Sequence, residues 1–336
     1  MPFKVVYTST APIGIDRDGL TKLGVHYVER PAPTEQDVID LASDADALIA
    51  RGEPITGHVI ASLKSCKLIF TPKVGYENID VAAATEMGIC VANMPGLSAE
   101  EVSDHALSLV LTLARKIVRL DKMVHAGQWH VFHGPEMQAM WKGISQIRGQ
   151  TLGLVGFGSI ARTVAPKAKA FGLRVIAHDP YVKPDAFDGM SVAPMGLVQL
   201  LRESDYVSLH SPLTPDTRNM MGLAQFRTMK PSAYLINTSR GALVNEEELY
   251  TALTRGYIAG AGLDVLEIEP VTMDNPLLKL DNIVVTGHSA HYSDQAWAEQ
   301  ARRPTEEVAR VMAGKWPIGW VNPQAEAAFR ARWGTQ

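Results

Sequence analysis

The fold is decided by the stretch Thr151-Leu152-Gly153-Leu154-Val155-Gly156-Phe157-Gly158-Ser159-Ile160-Ala161, an apolar strand followed by a GxGxxA turn and the start of a helix. Each small residue has a mechanical reason. Gly156 permits the tight turn, Gly158 lets the backbone approach a pyrophosphate, and Ala161 lets the helix pack closely on its strand. The stretch therefore predicts the first strand, turn and helix of a dinucleotide-binding domain.

The residues that follow complete this fingerprint. Ser159 and Ile160 open the helix, whose first amides would face the phosphates. Asp179 ends the next strand about twenty residues further on, where the fingerprint requires an acid. Its carboxylate can bind both ribose hydroxyls of NAD and would repel the additional phosphate of NADP. A glycine turn alone is often only a turn, but the strand, helix and acid together predict NAD as the cofactor.

Strand-like and helix-like segments alternate on both sides of this turn, which predicts an α/β protein with parallel sheets. The predicted strands are Lys4–Thr8, His26–Glu29, Ala45–Ala50, Lys67–Phe70, Ile89–Ala92, Leu152–Gly156, Arg174–His178, Tyr206–His210, Ala233–Asn237, Ala261–Val265 and Ile283–Thr286. Helices predicted between the first of these strands are Glu35–Ala42, His58–Ser65 and Val81–Met87.

A long helix is predicted between the two alternating regions. Ser98, with Glu101 three residues later, has the pattern of a capping box. Apolar residues then recur with helical spacing from Val102 to Leu120, as expected for a helix that connects two domains. We expect a substrate (catalytic) domain formed by residues 1–98 plus 292–336 and an NAD-binding Rossmann domain formed by residues 99–291.

Composition excludes several other classes of protein. The 336 residues are 46% hydrophobic and 20% charged, as is typical of a globular protein, and the net charge of −4 argues against binding to nucleic acid through phosphates. Apolar runs are interrupted before the roughly 18 residues that suggest a membrane span. The first ten residues read as a strand, not as a signal peptide. Since Cys66 and Cys90 do not form a disulfide framework, we expect a cytoplasmic protein.

Four polar motifs follow later strands of the second region. Ligands of an open α/β sheet bind where parallel strands end, so these motifs are expected to meet at one edge. They are Leu209-His210-Ser211-Pro212-Leu213-Thr214, Asn237-Thr238-Ser239-Arg240-Gly241, Gly262-Leu263-Asp264-Val265 continuing to Glu269-Pro270, and Thr286-Gly287-His288-Ser289-Ala290.

With these motifs the sequence resembles the D-isomer-specific 2-hydroxyacid dehydrogenase family, and within it the branch of C-terminal-binding-protein transcriptional corepressors. The resemblance covers nearly the whole chain and also rests on Gly75-Tyr76-Glu77-Asn78-Ile79-Asp80, Ala82-Ala83-Ala84-Thr85-Glu86-Met87-Gly88, Asp179-Pro180-Tyr181 and His288-x-Ala290-x-Tyr292-Ser293. It implies two doubly wound lobes, a flavodoxin-like substrate domain completed by the C-terminal helix and a Rossmann NAD-binding domain, with a cleft between them. It also implies a homodimer formed through the NAD-binding domain.

Chemistry indicates roles for three side chains. Reduction of a 2-keto acid needs a proton for the oxygen and a cation for the carboxylate. His288 is the natural acid and base because imidazole titrates near neutral pH, and Glu269 would hold the ring and favour its charged form. Arg240 offers a planar fork to the carboxylate and the keto oxygen. Alone, each has an ordinary structural explanation, but together and in this order they match the family's catalytic set.

The resemblance implies further contacts. Thr238 and Asp264 would lie near the nicotinamide, and the residues expected to complete the cofactor site are Ser211, Pro212, His288 and Ala290. The backbone of Lys73-Val74-Gly75 would meet the substrate carboxylate. Lys73 is either a second cation for a diacid or phosphorylated substrate or a solvated side chain.

Two positions depart from the resembled branch. His291 stands where the corepressors carry a Trp in the substrate pocket, which predicts a more polar pocket. Gly287 stands where a Pro is common before the catalytic His, which puts the rigidity of this loop in doubt.

Other readings concern the segment before the cofactor turn and the activity itself. A metal site at His125, His130 and His133 is not expected, because no Cys or acid completes the set. Met137, Met140 and Trp141 are better explained as interface or core. An NAD(H)-sensing corepressor-like binding protein is the alternative to an enzyme, and an inorganic oxyanion is an alternative substrate.

Overall fold

A computed structural model describes residues 2–8, 14–129, 138 and 141–334. The chain forms two compact units, one of Met1–Leu97 with Ser293–Gln336 and one of Ser98–Tyr292. Within the described ranges, no helix is long and apolar enough to cross a membrane.

The first unit is built on a five-stranded parallel sheet in the order β2-β1-β3-β4-β5. Its strands are β1 (Lys4–Tyr7), β2 (His26–Glu29), β3 (Ala47–Ile49), β4 (Leu68–Phe70) and β5 (Cys90–Ala92). Its helices are α1 (Arg17–Lys22), α2 (Glu35–Ala42), α3 (Gly57–Ser62), α4 (Val81–Glu86), α12 (Asp294–Met312) and α13 (Glu326–Trp333), with a 3₁₀ turn at Pro323–Ala325. β3, β4 and β5 are buried throughout. This doubly wound arrangement confirms the predicted class of fold.

The second unit contains a seven-stranded parallel sheet in the order β12-β11-β10-β9-β6-β7-β8. Its strands are β6 (Thr151–Val155), β7 (Arg174–His178), β8 (Ala193–Pro194), β9 (Tyr206–Leu209), β10 (Tyr234–Asn237), β11 (Gly260–Leu263) and β12 (Ile283–Val285). Its helices are α5 (Ala99–Arg115), α6 (Ile117–His125), α7 (Ser159–Ala170), α8 (Asp185–Asp188), α9 (Leu197–Glu203), α10 (Leu223–Thr228) and α11 (Glu246–Thr254), with 3₁₀ turns at Gly241–Leu243 and Pro276–Lys279. The strand order is that of a Rossmann fold with one added strand.

Local details of the long connecting helix differ from the prediction. Ser98 adopts a left-handed conformation with φ of 60° and makes no side-chain cap, so the predicted capping box is wrong. The helix also ends at Arg115, because Lys116 after it has a left-handed φ of 53°, and α6 starts directly after Lys116. The apolar spacing continues across this break, which is why the sequence predicted one helix where the structure has two.

The C-terminal segment returns to the free edge of the first sheet. Asn322 is fully buried, and its side-chain oxygen accepts hydrogen bonds from Val91 N at 2.8 Å and Trp320 Nε1 at 3.0 Å. Its amide nitrogen donates to Ile89 O and Thr85 Oγ1, both at 3.0 Å. One buried amide therefore pairs with the N–H of Val91 in β5 and with the carbonyl of Ile89 just before that strand, and it joins residues more than 230 positions apart.

The crossover in the second sheet lies between β6 and β9, which are neighbours in space. Gly156 has φ of 93°, and a Cβ there would lie 2.7 Å from the His210 carbonyl, so only glycine fits. His210 binds Ser208 Oγ through Nε2 at 3.0 Å, whereas its buried Nδ1 has no partner among the described residues. Burial lowers the pKa of His210 to about 4, so the ring is neutral near pH 7.

We expect Asn322→Ala to lower the free energy of unfolding by about 3 kcal/mol, because the buried amide of Val91 and carbonyl of Ile89 lose their partner. Urea denaturation monitored by circular dichroism measures this change. Asn282→Ala is a matched control, since that side chain donates one 3.3 Å bond to Ala259 O and its loss should cost about 1 kcal/mol or less. Equal losses in the two variants would contradict the role given to Asn322.

His210 should make the fold sensitive to acid. In the unfolded chain an imidazole gains a proton near pH 6.5, whereas the folded His210 gains one only near pH 4. The unfolded state thus binds more protons in this window, and the stability present above pH 6.5 falls by up to about 3 kcal/mol as the pH drops to 4. His210→Gln should flatten this part of the stability profile. A slope as steep as that of the parent protein, or an equal flattening in the exposed-site control His58→Gln, would argue against it.

Candidate active site

The cofactor turn has the geometry that the sequence predicts. Gly158 precedes α7 and leaves its N-terminus without a side-chain cap, and a Cβ at Gly158 would meet no atom within 4 Å. The exposed amides that begin at Ser159 and Ile160 are therefore open to an anion. Ala161 is fully buried in the core with Leu152 and Leu154 of β6, so the helix packs closely on its strand. A pyrophosphate fits this turn.

Asp179 is fixed at the end of β7 by two backbone amides. Its Oδ2 accepts a hydrogen bond from Phe157 N at 2.8 Å, and its Oδ1 accepts one from Tyr181 N at 2.9 Å. The first bond ties the acid to the glycine turn itself. Each carboxylate oxygen has a second lone pair, so the group can still accept from a ribose hydroxyl.

The strand ends beyond the turn carry further polar groups, some with a hydrogen-bond partner and one without. Thr238 Oγ1 is buried and has no hydrogen-bond partner among the described residues, as expected for an atom awaiting a ligand. Ser211 Oγ instead donates to Val155 O at 3.2 Å, and Pro212 O accepts from Thr217 Oγ1 at 2.7 Å. Cofactor contacts by Ser211 and Pro212 stay predictions.

Asp264 organises the loop that follows β12. It is 2% exposed, its backbone oxygen accepts from His288 N at 2.6 Å, and its carboxylate accepts from Ser289 N at 2.9 Å and Ala290 N at 3.0 Å. Thr286 Oγ1 also donates to this carboxylate, at 2.6 Å. Three consecutive amides and one hydroxyl thus bind a single aspartate, which holds the backbone of His288 in place.

The loop turns through the left-handed region of backbone space. Gly287 has φ of 49° and His288 has φ of 55°. Proline fixes φ near −65°, so a Pro at position 287 is incompatible with this conformation. Glycine adopts it without strain, whereas His288 does so under the restraint of the Asp264 hydrogen bonds. Glycine in place of proline at position 287 therefore allows the loop to pass through the left-handed region.

Glu269 and His288 are in direct contact. His288 Nδ1 lies 2.6 Å from Glu269 Oε2, and Glu269 Oε1 accepts a hydrogen bond from Leu266 N at 3.0 Å. Both side chains are partly exposed, 46% for His288 and 37% for Glu269. One oxygen of the carboxylate anchors it to the backbone while the other orients the imidazole.

Arg240 follows β10 and is placed by its neighbours. Asn237 Nδ2 donates to Arg240 O at 2.9 Å, and Arg240 Nη1 donates to Ser239 O at 2.8 Å. A Cβ on Gly241 would lie 1.9 Å from the Leu266 carbonyl carbon, so the backbone after Arg240 packs directly on the backbone that anchors Glu269. Apart from the glycine itself, no feature of the sequence indicates this contact.

His291 lies beside the catalytic candidates. Its ring meets that of His288 edge to face, with centroids 5.8 Å apart. A second imidazole is therefore the neighbour of His288 where the resembled branch has an indole.

Lys73, Val74 and Gly75 belong to the first unit. Three successive carbonyls, those of residues 72–74, accept hydrogen bonds within that unit: Pro72 O from Gln300 Nε2, Lys73 O from Met94 N at 3.0 Å, and Val74 O from Asn93 Nδ2 at 2.6 Å. The backbone of this segment is therefore fixed by hydrogen bonds to its carbonyl oxygens.

The remaining candidates lie in or near the segment before the cofactor turn. His130, His133, Met137 and Met140 lie outside the described residues, and His125 binds Asp121 O at 3.1 Å. No group of three or more His, Cys, Asp or Glu in the part of the chain that the structure describes could hold a metal ion. Burial raises the pKa of Cys66 and Cys90 to about 12, so neither thiol is a nucleophile near neutral pH.

Two residues that bear on the site were given no role from the sequence: Thr286, which was only part of a quoted motif, and His105. His105 Nε2 lies 2.8 Å from Thr286 Oγ1 and 3.6 Å from Asp264 Oδ1. The only signal was position, since His105 follows Val102 by three residues and so shares the inward face of α5.

The chain is similar to known dehydrogenases along most of its length. Residues 107–290 match the family described as D-isomer specific 2-hydroxyacid dehydrogenase, NAD binding domain. A glyoxylate reductase of Korarchaeum cryptofilum is 39% identical over 316 residues, which cover 92% of this chain and 94% of the relative. A hydroxypyruvate reductase of Thermotoga maritima is 39% identical over 257 residues, which cover 76% and 80%.

A solved structure of a member of the same family has a similar fold. The NAD-complexed D-isomer specific 2-hydroxyacid dehydrogenase of Lactobacillus delbrueckii ssp. bulgaricus superimposes with a TM-score of 0.77 at 30% identity, covering 95% of this chain and 100% of that chain. The narrower resemblance to the corepressor branch stays a prediction. On the strength of the family match and of these relatives, the protein belongs to the D-isomer specific 2-hydroxyacid dehydrogenase family and is an NAD-dependent oxidoreductase.

Proposed function

We propose that this protein interconverts a small D-2-hydroxy acid and its 2-keto acid, with reduction of glyoxylate or hydroxypyruvate as the first candidates. The observation that carries the proposal is the 2.6 Å contact between His288 Nδ1 and Glu269 Oε2. Relatives named glyoxylate reductase and hydroxypyruvate reductase, each 39% identical to this chain, support the choice of substrates.

His288 acts as the general acid in reduction and the general base in oxidation. Because Glu269 occupies Nδ1, the imidazole presents Nε2 to the substrate oxygen. Bound at the glycine turn, NADH would supply the hydride for the carbonyl carbon in reduction. The keto oxygen takes the proton from Nε2 as it becomes a hydroxyl, and the negative Glu269 stabilises the imidazolium before that transfer.

Arg240 binds the substrate carboxylate and polarises the keto oxygen. A guanidinium offers paired N–H donors in one plane, which suits the two oxygens of a 2-keto acid. The backbone contact of Gly241 with Leu266 supports this role, because it couples the position of Arg240 to the anchor of Glu269.

The first unit serves as the substrate domain, and the second unit as the NAD-binding domain. Lys73, Val74 and Gly75 contribute backbone amides to the substrate carboxylate, a role supported by the hydrogen bonds that fix the carbonyls of residues 72–74. His291 gives the pocket a polar wall, which favours a hydroxylated acid such as hydroxypyruvate over an aromatic one.

The second unit also forms the interface of a homodimer. α6 has no buried residue, and Ile117 and Val124 on it are 51% and 43% exposed. Apolar side chains left exposed along one helix are typical of an interface between subunits. We place the protein in the cytoplasm, with no nucleic-acid or membrane partner.

His288→Ala should lower kcat for keto-acid reduction by about a thousandfold while the Kd for NADH changes little, because it removes the acid and leaves the glycine turn intact. NADH oxidation at 340 nm and titration of protein fluorescence with NADH measure the two quantities. Glu269→Gln should lower kcat by about tenfold or more, since it keeps an oxygen for Leu266 N but loses the charge. The exposed Glu247→Gln on α11 is the control. Undiminished turnover in His288→Ala would remove the assignment.

Asp179 should determine the choice between NADH and NADPH. Asp179→Asn keeps one acceptor oxygen for the neighbouring amides but removes the charge that repels a 2′-phosphate. We expect the ratio of kcat/KM for NADPH to that for NADH to rise by about tenfold or more. An unchanged ratio would show that a group other than Asp179 determines the choice between the two cofactors.

A panel of 2-keto acids separates the enzyme from its alternative. Turnover of glyoxylate or hydroxypyruvate at least tenfold better than of phenylpyruvate or a phosphorylated acid is the expected result. Tight NADH binding with negligible turnover of every acid would favour an NAD(H)-sensing binding protein.

A further inference from the structure

His105 reaches the loop of His288 from behind. It projects from α5 with its side chain 24% exposed, and its Nε2 meets the hydroxyl of Thr286 and the buried carboxylate of Asp264 at 2.8 and 3.6 Å. The same carboxylate binds the amides of Ser289 and Ala290. A histidine far along the chain thus joins the hydrogen bonds that hold the loop.

The proton positions in this group follow from the number of donors. An ionised carboxylate only accepts, and a threonine hydroxyl has a single proton to donate. The contact of 2.6 Å assigns the Thr286 proton to Asp264, so the Thr286 oxygen is an acceptor toward His105. His105 must then carry hydrogen on Nε2.

We propose that His105 is a positioning residue for the general acid: its Nε2–H donates to Thr286, Thr286 donates to Asp264, and this relay holds the loop that carries His288. The inference rests on the proposed role of His288. It assigns to α5, the helix before the cofactor turn, a part in orienting the general acid.

The tautomer of His105 decides whether the relay works. With hydrogen on Nδ1 alone, Nε2 would be an acceptor and would draw the Thr286 proton away from Asp264. The buried carboxylate would then lose one of its hydrogen bonds, and the loop would relax. Because His288 has a left-handed backbone at φ of 55°, its orientation depends on such restraints.

The test compares His105→Leu with His105→Gln. Leu removes the donor at similar size, whereas the Gln amide places an N–H near the position of Nε2. We expect Leu to lower kcat by about tenfold with the keto-acid KM and the NADH Kd within about twofold, and Gln to retain at least about half of kcat. Equal kcat in the two variants, whatever the change in Tm, would overturn the proposal.

A double-mutant cycle with Thr286 tests the order of the relay. Thr286→Val removes the hydroxyl and Thr286→Ser keeps it, while Thr228→Val, which removes a hydroxyl that donates to Ala224 O within α10, is the matched control. The double variant His105→Leu with Thr286→Val should lose no more kcat than the more damaged single variant, because both break one chain. Fully additive losses would show that the two residues act separately.

A third measurement does not depend on turnover. Long-range ¹⁵N–¹H correlation spectra of the ¹⁵N-histidine-labelled protein report the tautomer of each ring, and the signal missing in His105→Gln identifies His105. Hydrogen on Nε2 is expected, and hydrogen on Nδ1 alone would overturn the inference. Loss of activity in His105→Leu without any loss in His288→Ala would refute the proposed function. Loss of activity in His288→Ala without any loss in His105→Leu would refute only the role of His105.

Discussion

The site depends on one buried carboxylate, that of Asp264. Two backbone amides and a hydroxyl donate to its side chain, while the amide of His288 donates to its backbone oxygen. A buried ionised group is tolerated only when donors replace the water it has lost, and here nearly all of them come from residues 286–290. The need to satisfy this carboxylate therefore folds the loop around it. The loop in turn gives His288 its backbone position.

Sheet order explains why these groups meet although they are far apart in the sequence. β6, β9, β10, β11 and β12 are consecutive neighbours in one parallel sheet, so the polar motifs that follow them share an edge. Close backbone approaches set the spacing between adjacent motifs. Gly156 packs on His210, and Gly241 packs on Leu266, at distances that no side chain permits. Strand order thus decides which motifs are neighbours, and these glycines decide how close the glycine turn, Arg240 and Glu269 come to the backbone beside them.

The sequence predicted what periodicity and local motifs encode. Helix α2 and strands β2 and β7 have the predicted bounds, and the glycine turn has the predicted form. The capping box at Ser98 was wrong because its pattern can be present without the backbone conformation it requires. The edge strand β8, only two residues long, is too short for a pattern. The contacts of His105 and Asn322 join residues more than 180 positions apart, and a single sequence holds no signal for such pairs.

The ion pair between His288 and Glu269 is too weak to fix the orientation of its two side chains by itself. Both side chains are more than a third exposed, and an ion pair of that exposure contributes about 1 kcal/mol or less in water. Two flexible side chains would lose much of that to the entropy of ordering. Their alignment must therefore come from the backbone, through Leu266 N for the carboxylate and Asp264 for the histidine. The exposure that a substrate needs and the rigidity that catalysis needs are thus supplied by different residues, the pair at the surface and the buried polar groups behind it.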